Sequence, residues 1–194
     1  MKRLTQEDLL PLDEYERQRD GYRSRIIALK QRRRVPLGPL MTLVFENRDT
    51  LQFQIQEMIR AERIVQPDKV QDELDVYNEL LPAANQLSAT LLIEITDTAT
   101  MKESLDRFMG LDQGRTLAIT AGGESVFGQF EGGHSHETKI SAVHFVRFNP
   151  SEAMRRAFAD LRQPVSLTVD HHGYRETVQV AGNLREEWLS DLSA

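Results

Sequence analysis

The residues of this chain whose types and spacing could do chemistry fall into a histidine group and a polar junction. Glu131-Gly132-Gly133-His134-Ser135-His136-Glu137 holds a His-x-His pair whose members share a face if the segment is extended, and His144 follows on an alternating run. Three neutral imidazoles with a carboxylate suit zinc, iron or another first-row ion, so His134, His136 and His144 are the candidate metal ligands. A glycine-flanked loop also accommodates histidine as an ordinary polar residue. His171-His172 precedes Gly173 and reads as a hairpin tip.

The junction is Glu46-Asn47-Arg48-Asp49-Thr50, between the apolar run Met41 to Phe45 and a helical pattern from Leu51 to Ile64. Gln52, Gln56 and Arg60 follow on successive turns of that helix. An arginine and amides converging at a helix N-terminus can bind a small anion or a partner's carboxylate. Glu46, Asn47, Arg48, Gln52, Gln56 and Arg60 are therefore the candidate ligand-binding set. The alternative use of the same residues is structural: an N-cap at Asn47, Asp49 or Thr50, and an arginine–carboxylate pair that braces strand to helix.

Several chemistries are excluded. The chain has no cysteine, which removes disulfides, a thiolate nucleophile, Cys-type zinc sites and iron–sulfur ligation by this chain. Any redox centre belongs to a partner or to a bound cofactor. The segment over residues 50 to 82 contains no Glu-x-x-His, the pair that di-iron bundles need. The Gly-Gly pairs at 122 and 132 form neither a dinucleotide fingerprint nor a phosphate loop, and no Gly-x-Ser-x-Gly elbow occurs. No catalytic residue and no cofactor is assigned, and whether the protein is an enzyme stays open.

The elements that must position these residues can be read in order. Asp13 to Arg34 carries a long helical pattern in which Tyr15, Tyr22, Ile26 and Leu29 share the face expected to be buried. From Glu16 to Arg34 there are eight basic residues against two acidic ones. This helix, Arg17 to Arg34, is a candidate docking surface for an acidic partner; a solvated or internally paired face is the plainer use. The net charge of −6 argues against general nucleic-acid binding, which through this helix would be steeply salt-dependent. Pro36 and Pro39 end the helix. Leu51, Ile55, Met58 and Ile59 form one apolar stripe, on which Glu62 also falls. After the break at Gln66-Pro67, Val70, Leu74, Tyr77 and Leu81 form another, so residues 50 to 81 read as a helical hairpin. Its acidic balance complements the basic helix, and docking of the two within the monomer is the simplest use of both.

Beyond residue 83 strands dominate. The pattern predicts a strand over 88–95, a helix capped by Thr98 or Thr100 through Met109, and a hairpin of 115–120 with 126–131. It continues with a strand over 140–148, a helix from Ser151-Glu152 to about Arg162, a second hairpin of 165–169 with 174–180, and a terminal helix over 183–192. The expected architecture is α+β with a mainly antiparallel sheet, a long N-terminal helix and a helical hairpin. At 194 residues this is one domain, 1–194, helix-rich over 1–82 and sheet-rich over 83–194. Without an apolar signal core or an apolar run of about 18 residues, no membrane segment is expected and a cytoplasmic location is the default.

The runs Arg32-Arg33-Arg34-Val35-Pro36-Leu37-Gly38, Phe45-Glu46-Asn47-Arg48-Asp49-Thr50 with Phe53-Gln54-Ile55-Gln56-Glu57-Met58, and Tyr77-Asn78-Glu79-Leu80-Leu81-Pro82 together resemble a bacterial family known only as a domain of unknown function. Ser88-Ala89-Thr90-Leu91, Phe130-Glu131-Gly132-Gly133 and Ser141-Ala142-Val143 extend the resemblance over essentially the whole chain. The resemblance implies a bacterial cytosolic protein whose gene often sits near those for rubrerythrin-like and iron–sulfur oxidoreductase proteins. It implies no requirement for His134 or His136. The resulting expectation is a non-catalytic accessory or binding protein, its partner a redox or peroxide-defence metalloprotein. The alternatives are a metal-dependent enzyme using the histidine cluster and nucleic-acid binding through the basic first helix.

Overall fold

The structure is a computed structural model and describes residues 1–96, 101–132 and 140–194. In chain order it contains α1 (Leu12–Arg33), β1 (Arg34–Leu37), β2 (Met41–Glu46), α2 (Arg48–Glu62), α3 (Pro67–Asn78), β3 (Leu87–Ile93) and α4 (Met101–Asp106). There follow β4 (Leu117–Ala121), β5 (Glu124–Phe127), β6 (Gln129–Phe130), β7 (Val143–Phe148), α5 (Glu152–Ala159), β8 (Val165–His171), β9 (Tyr174–Gln179) and α6 (Gly182–Ser193). The strands form two antiparallel sheets, one ordered β1-β2-β3-β7-β6 and the other β5-β4-β8-β9. The α+β architecture, the long first helix and the helical hairpin α2–α3 are those expected from the sequence pattern.

Alternation decides which faces meet. Leu43 and Phe45 on β2, Leu87, Ala89 and Leu91 on β3, and Val146 and Phe148 on β7 are buried on one face of the larger sheet. They share a core with Leu117, Ile119 and Ala121 on β4 and Val165, Leu167 and Val169 on β8. Trp188 of α6 plugs this core, its ring centroid 4.7 Å from that of Phe45 and 5.2 Å from that of Phe158. The opposite face of the larger sheet contributes Phe145 to a second core, built from Leu51, Ile55 and Ile59 of α2 with Leu74 and Tyr77 of α3. On α1, Tyr15 and Ile26 are buried and Tyr22 and Leu29 half-buried, as the spacing predicts.

Four differences from the sequence pattern have physical reasons. Val35-Pro36-Leu37, read as a helix stop, also forms edge strand β1, where a proline is tolerated because an outward-facing position needs no ladder donor. The run 126–131 is divided between the two sheets at Gly128. A Cβ there would stand 2.6 Å from Val146 Cγ1, so only glycine lets the chain cross. The helix after Ser151 stops at Ala159, since buried Arg185 of α6 donates to the carbonyls of Ala157, Phe158 and Asp160 at its end. The expected tip His171-His172 is narrower: His171 closes β8, and His172 (φ 42°) with Gly173 (φ 82°) makes the two-residue turn. The start of the helix expected from Thr98 or Thr100 lies outside the described residues.

Candidate functional site

The junction forms as a helix start. Asn47 is the N-cap of α2; its Oδ1 accepts from Thr50 N–H at 3.0 Å, and Thr50 Oγ1 returns the bond by accepting from Asn47 N–H at 2.9 Å. Asn47 and Asp191 of α6 line one cavity. Glu46, at the end of β2, is buried; its Oε1 accepts from Thr90 Oγ1 at 2.9 Å and its Oε2 has no partner among the described residues.

Arg48, Gln52 and Gln56 turn their polar ends to the chain's own N-terminal strap. Arg48 meets the Asp8 carboxylate at 2.7 Å and donates to the Lys2 carbonyl at 3.2 Å. That bond holds the Asp8 carboxyl down at about 2. Gln52 donates to the Asp8 carbonyl. Gln56, buried, accepts from Leu10 N–H at 2.7 Å and donates to Leu10 C=O at 3.2 Å. Asn78 of α3 treats Leu4 in the same way, at 2.8 and 2.9 Å. Asn78 was not among the expected site residues. Its place at the end of the acidic hairpin beside Tyr77 carries no signal of a strap arriving from 74 residues away.

Arg60 faces α1 instead, with Glu16 at 3.4 Å and Glu57 at 3.5 Å. Glu57 is the main tie between α1 and α2: Arg19 grips both its oxygens at 2.7 Å, and the Tyr15 hydroxyl donates to it at 2.7 Å. Its carboxyl is lowered to about 2 by the Arg19 bond. Glu62, which helical spacing puts on the apolar stripe unless it belongs to a fraying last turn, is the last residue of α2 and is exposed.

The basic helix also ties to α6. Arg33, fully buried, donates to the Phe45 carbonyl at 2.8 Å, to Glu187 at 2.8 Å and to Asp191. Two carboxylates share this guanidinium in a desolvated place, and burial pushes the Asp191 carboxyl up to about 6. Arg32 pairs with Glu187, Arg34 with Glu94 and Arg17 with Asp13. Arg23, Arg25 and Lys30 have no ion pair among the described residues.

Two concavities adjoin the junction. A cleft of about 510 Å³ runs between α1 and the start of α2, lined by Tyr22, Arg25, Ile26 and Leu29 on one wall and by Asp8, Leu10, Asp49 and Gln52 on the other. Arg25 lies over the Tyr22 ring at 5.4 Å, and burial raises the Tyr22 phenol. A smaller cavity of about 210 Å³ is lined by Asn47, Arg48, Asp49 and Asp191 together with both chain ends. Of the expected set, Gln52 thus faces the larger cleft and Asn47 and Arg48 the smaller, whereas Glu46, Gln56 and Arg60 line neither.

His134 and His136 lie outside the described residues. His144 is buried on β7, with Nε2 2.8 Å from the Ser141 carbonyl, Nδ1 3.9 Å from Asp112 and its ring edge-on to Phe130. Among the described residues no group of three or more His, Asp or Glu side chains is placed to hold a metal ion.

No curated protein matches the chain. A solved structure from Burkholderia pseudomallei K96243, titled as a novel protein of unknown function, matches with 32% identity and a TM-score of 0.90, over 98% of this chain and 100% of that one. Residues 3–192 match the family described as "Protein of unknown function (DUF3501)". With nearly its whole length inside that match, the chain belongs to this family.

Proposed function

We propose that this protein is a non-catalytic binding protein that docks an acidic partner on the outward flank of α1 and the cleft beside it. The observation that carries the reading is the stripe Arg23, Ile27 and Lys30. These residues stand at helical offsets of four and three. Ile27 is 43% exposed, and neither cation has an ion pair among the described residues. An exposed apolar side chain with an unpaired cation on either side along the helix suits a protein surface that offers a pocket rimmed by carboxylates. Arg25 extends the positive flank over the cleft, whose lining residues Leu10, Ile26 and Leu29 can take an apolar anchor.

A net charge of −6 weighs against a polynucleotide as this partner, because a polyphosphate meets repulsion from the rest of the molecule. With no cysteine in the chain, a thiol redox step is the partner's to supply. The resemblance read from the sequence makes a rubrerythrin-like or iron–sulfur protein the natural candidate. Calorimetric titration of the two proteins tests the proposal. Replacing Arg23, Arg25 and Lys30 together by Glu weakens binding at least tenfold, about 1.4 kcal/mol, and added salt weakens the native complex in the same direction. An affinity that ignores both changes overturns it.

A further inference from the structure

The cleft between α1 and the start of α2 is lined by charge as well as by apolar side chains. Of its four charged residues, two are engaged inside the protein: Asp8 meets Arg48 at 2.7 Å, and Arg32 meets Glu187 at 2.9 Å. The other two are Arg25 on α1 and Asp49 in the first turn of α2, and neither has an ion pair among the described residues. They stand on opposite walls. Tyr22 feels both, since burial raises its phenol most, Asp49 raises it further and Arg25 opposes the rise.

Both walls are held in place. The Tyr22 ring is edge-on to Tyr15 at 5.9 Å and to Phe53 at 5.6 Å, and Arg25, one turn further along α1, lies over it at 5.4 Å. On the facing wall Gln52 follows Asp49 by one turn and is fixed by donating to the Asp8 carbonyl, and its amide oxygen is an acceptor. A ligand of one sign pairs with one wall and leaves the other charge without a counterpart. A molecule carrying an ammonium and a carboxylate on one carbon bridges two opposite charges that stand too far apart to pair directly. The volume of about 510 Å³ lies within the range of small-molecule pockets. We propose that the cleft binds a free α-amino acid with a large apolar side chain. Arg25 takes the carboxylate, Asp49 and Gln52 take the ammonium, and Leu10, Ile26 and Leu29 take the side chain. A peptide end carries only one of the two charges. The site goes beyond docking of a protein on α1: it needs Asp49 and no cation outside the cleft, while Arg25 and the apolar lining are common to both.

The test titrates the protein separately with L-leucine and with L-phenylalanine and follows its backbone amide resonances. The expected result is saturable shifts at Leu10, Tyr22, Ile26 and Leu29 with at least one of the two. For that ligand, N-acetylation or conversion to the amide, each of which removes one charge, weakens binding about tenfold or more, and Asp49→Asn or Arg25→Gln does the same. Arg23→Gln, outside the cleft, leaves the affinity unchanged. Saturation by neither amino acid, or an affinity that survives loss of either charge from ligand or protein, overturns the site. Equal weakening by Arg23→Gln overturns it too. None of these outcomes decides the docking proposal, whose test uses the partner protein.

Discussion

Asp191 shows how one buried side chain can set a pH dependence. Arg33 offers one positive charge to both Glu187 and Asp191. The folded carboxyl is pushed up from 3.8 to about 6, so the fold binds a proton more tightly than the unfolded chain does. This contribution to stability is complete below the unfolded value and is lost as pH rises through about 6. Urea denaturation between pH 4 and 7 should show the native protein losing on the order of 2 kcal/mol relative to Asp191→Asn, with the divergence centred between the two values. Parallel stability curves would show that Asp191 does not titrate in this way. Asp8 and Glu57 act in the opposite sense, since their bonds to Arg48 and Arg19 are lost as pH falls toward 2.

At the scale of elements, polar groups tie the strap to α2 and α3. Replacing Gln56 by Ala leaves Leu10 N–H and C=O without their partner, and Asn78→Ala does the same to Leu4. Each change should cost about 1–3 kcal/mol and should raise amide hydrogen exchange at residues 2–10 well before the core is affected. Equal loss of protection across β2 and β3 would show that the strap is not a separate unit. The pairing could not be foreseen from the sequence. The polar flank Gln52, Gln56 and Arg60 is visible at helical spacing, but what it bonds is set by a strap whose residues show no period of their own. The strands and helices themselves were legible because alternation and helical spacing are local properties. Two exceptions depended on contacts distant in sequence: Gly128 against Val146, where the chain passes between sheets, and Arg185 against the end of α5. Pro36 hid an edge strand because a proline ordinarily counts against one.

Across the whole molecule, charge is sorted rather than spread. The acidic hairpin takes up Arg19 through Glu57, part of the internal docking that the two charge balances suggest, whereas Arg32 and Arg33 pair with α6 instead. Arg23, Arg25 and Lys30 on α1 are left without an ion pair among the described residues. No described helix is long and apolar enough to cross a membrane.

The most direct measurement is a hydrogen-exchange footprint of the protein alone and saturated with the proposed partner, a rubrerythrin-like protein. Docking along α1 predicts new protection over residues 18–32 and at the cleft wall around Asp49 and Gln52, with the β8–β9 hairpin unchanged. Protection confined to the four-stranded sheet, with α1 exchanging as freely as before, would contradict the account.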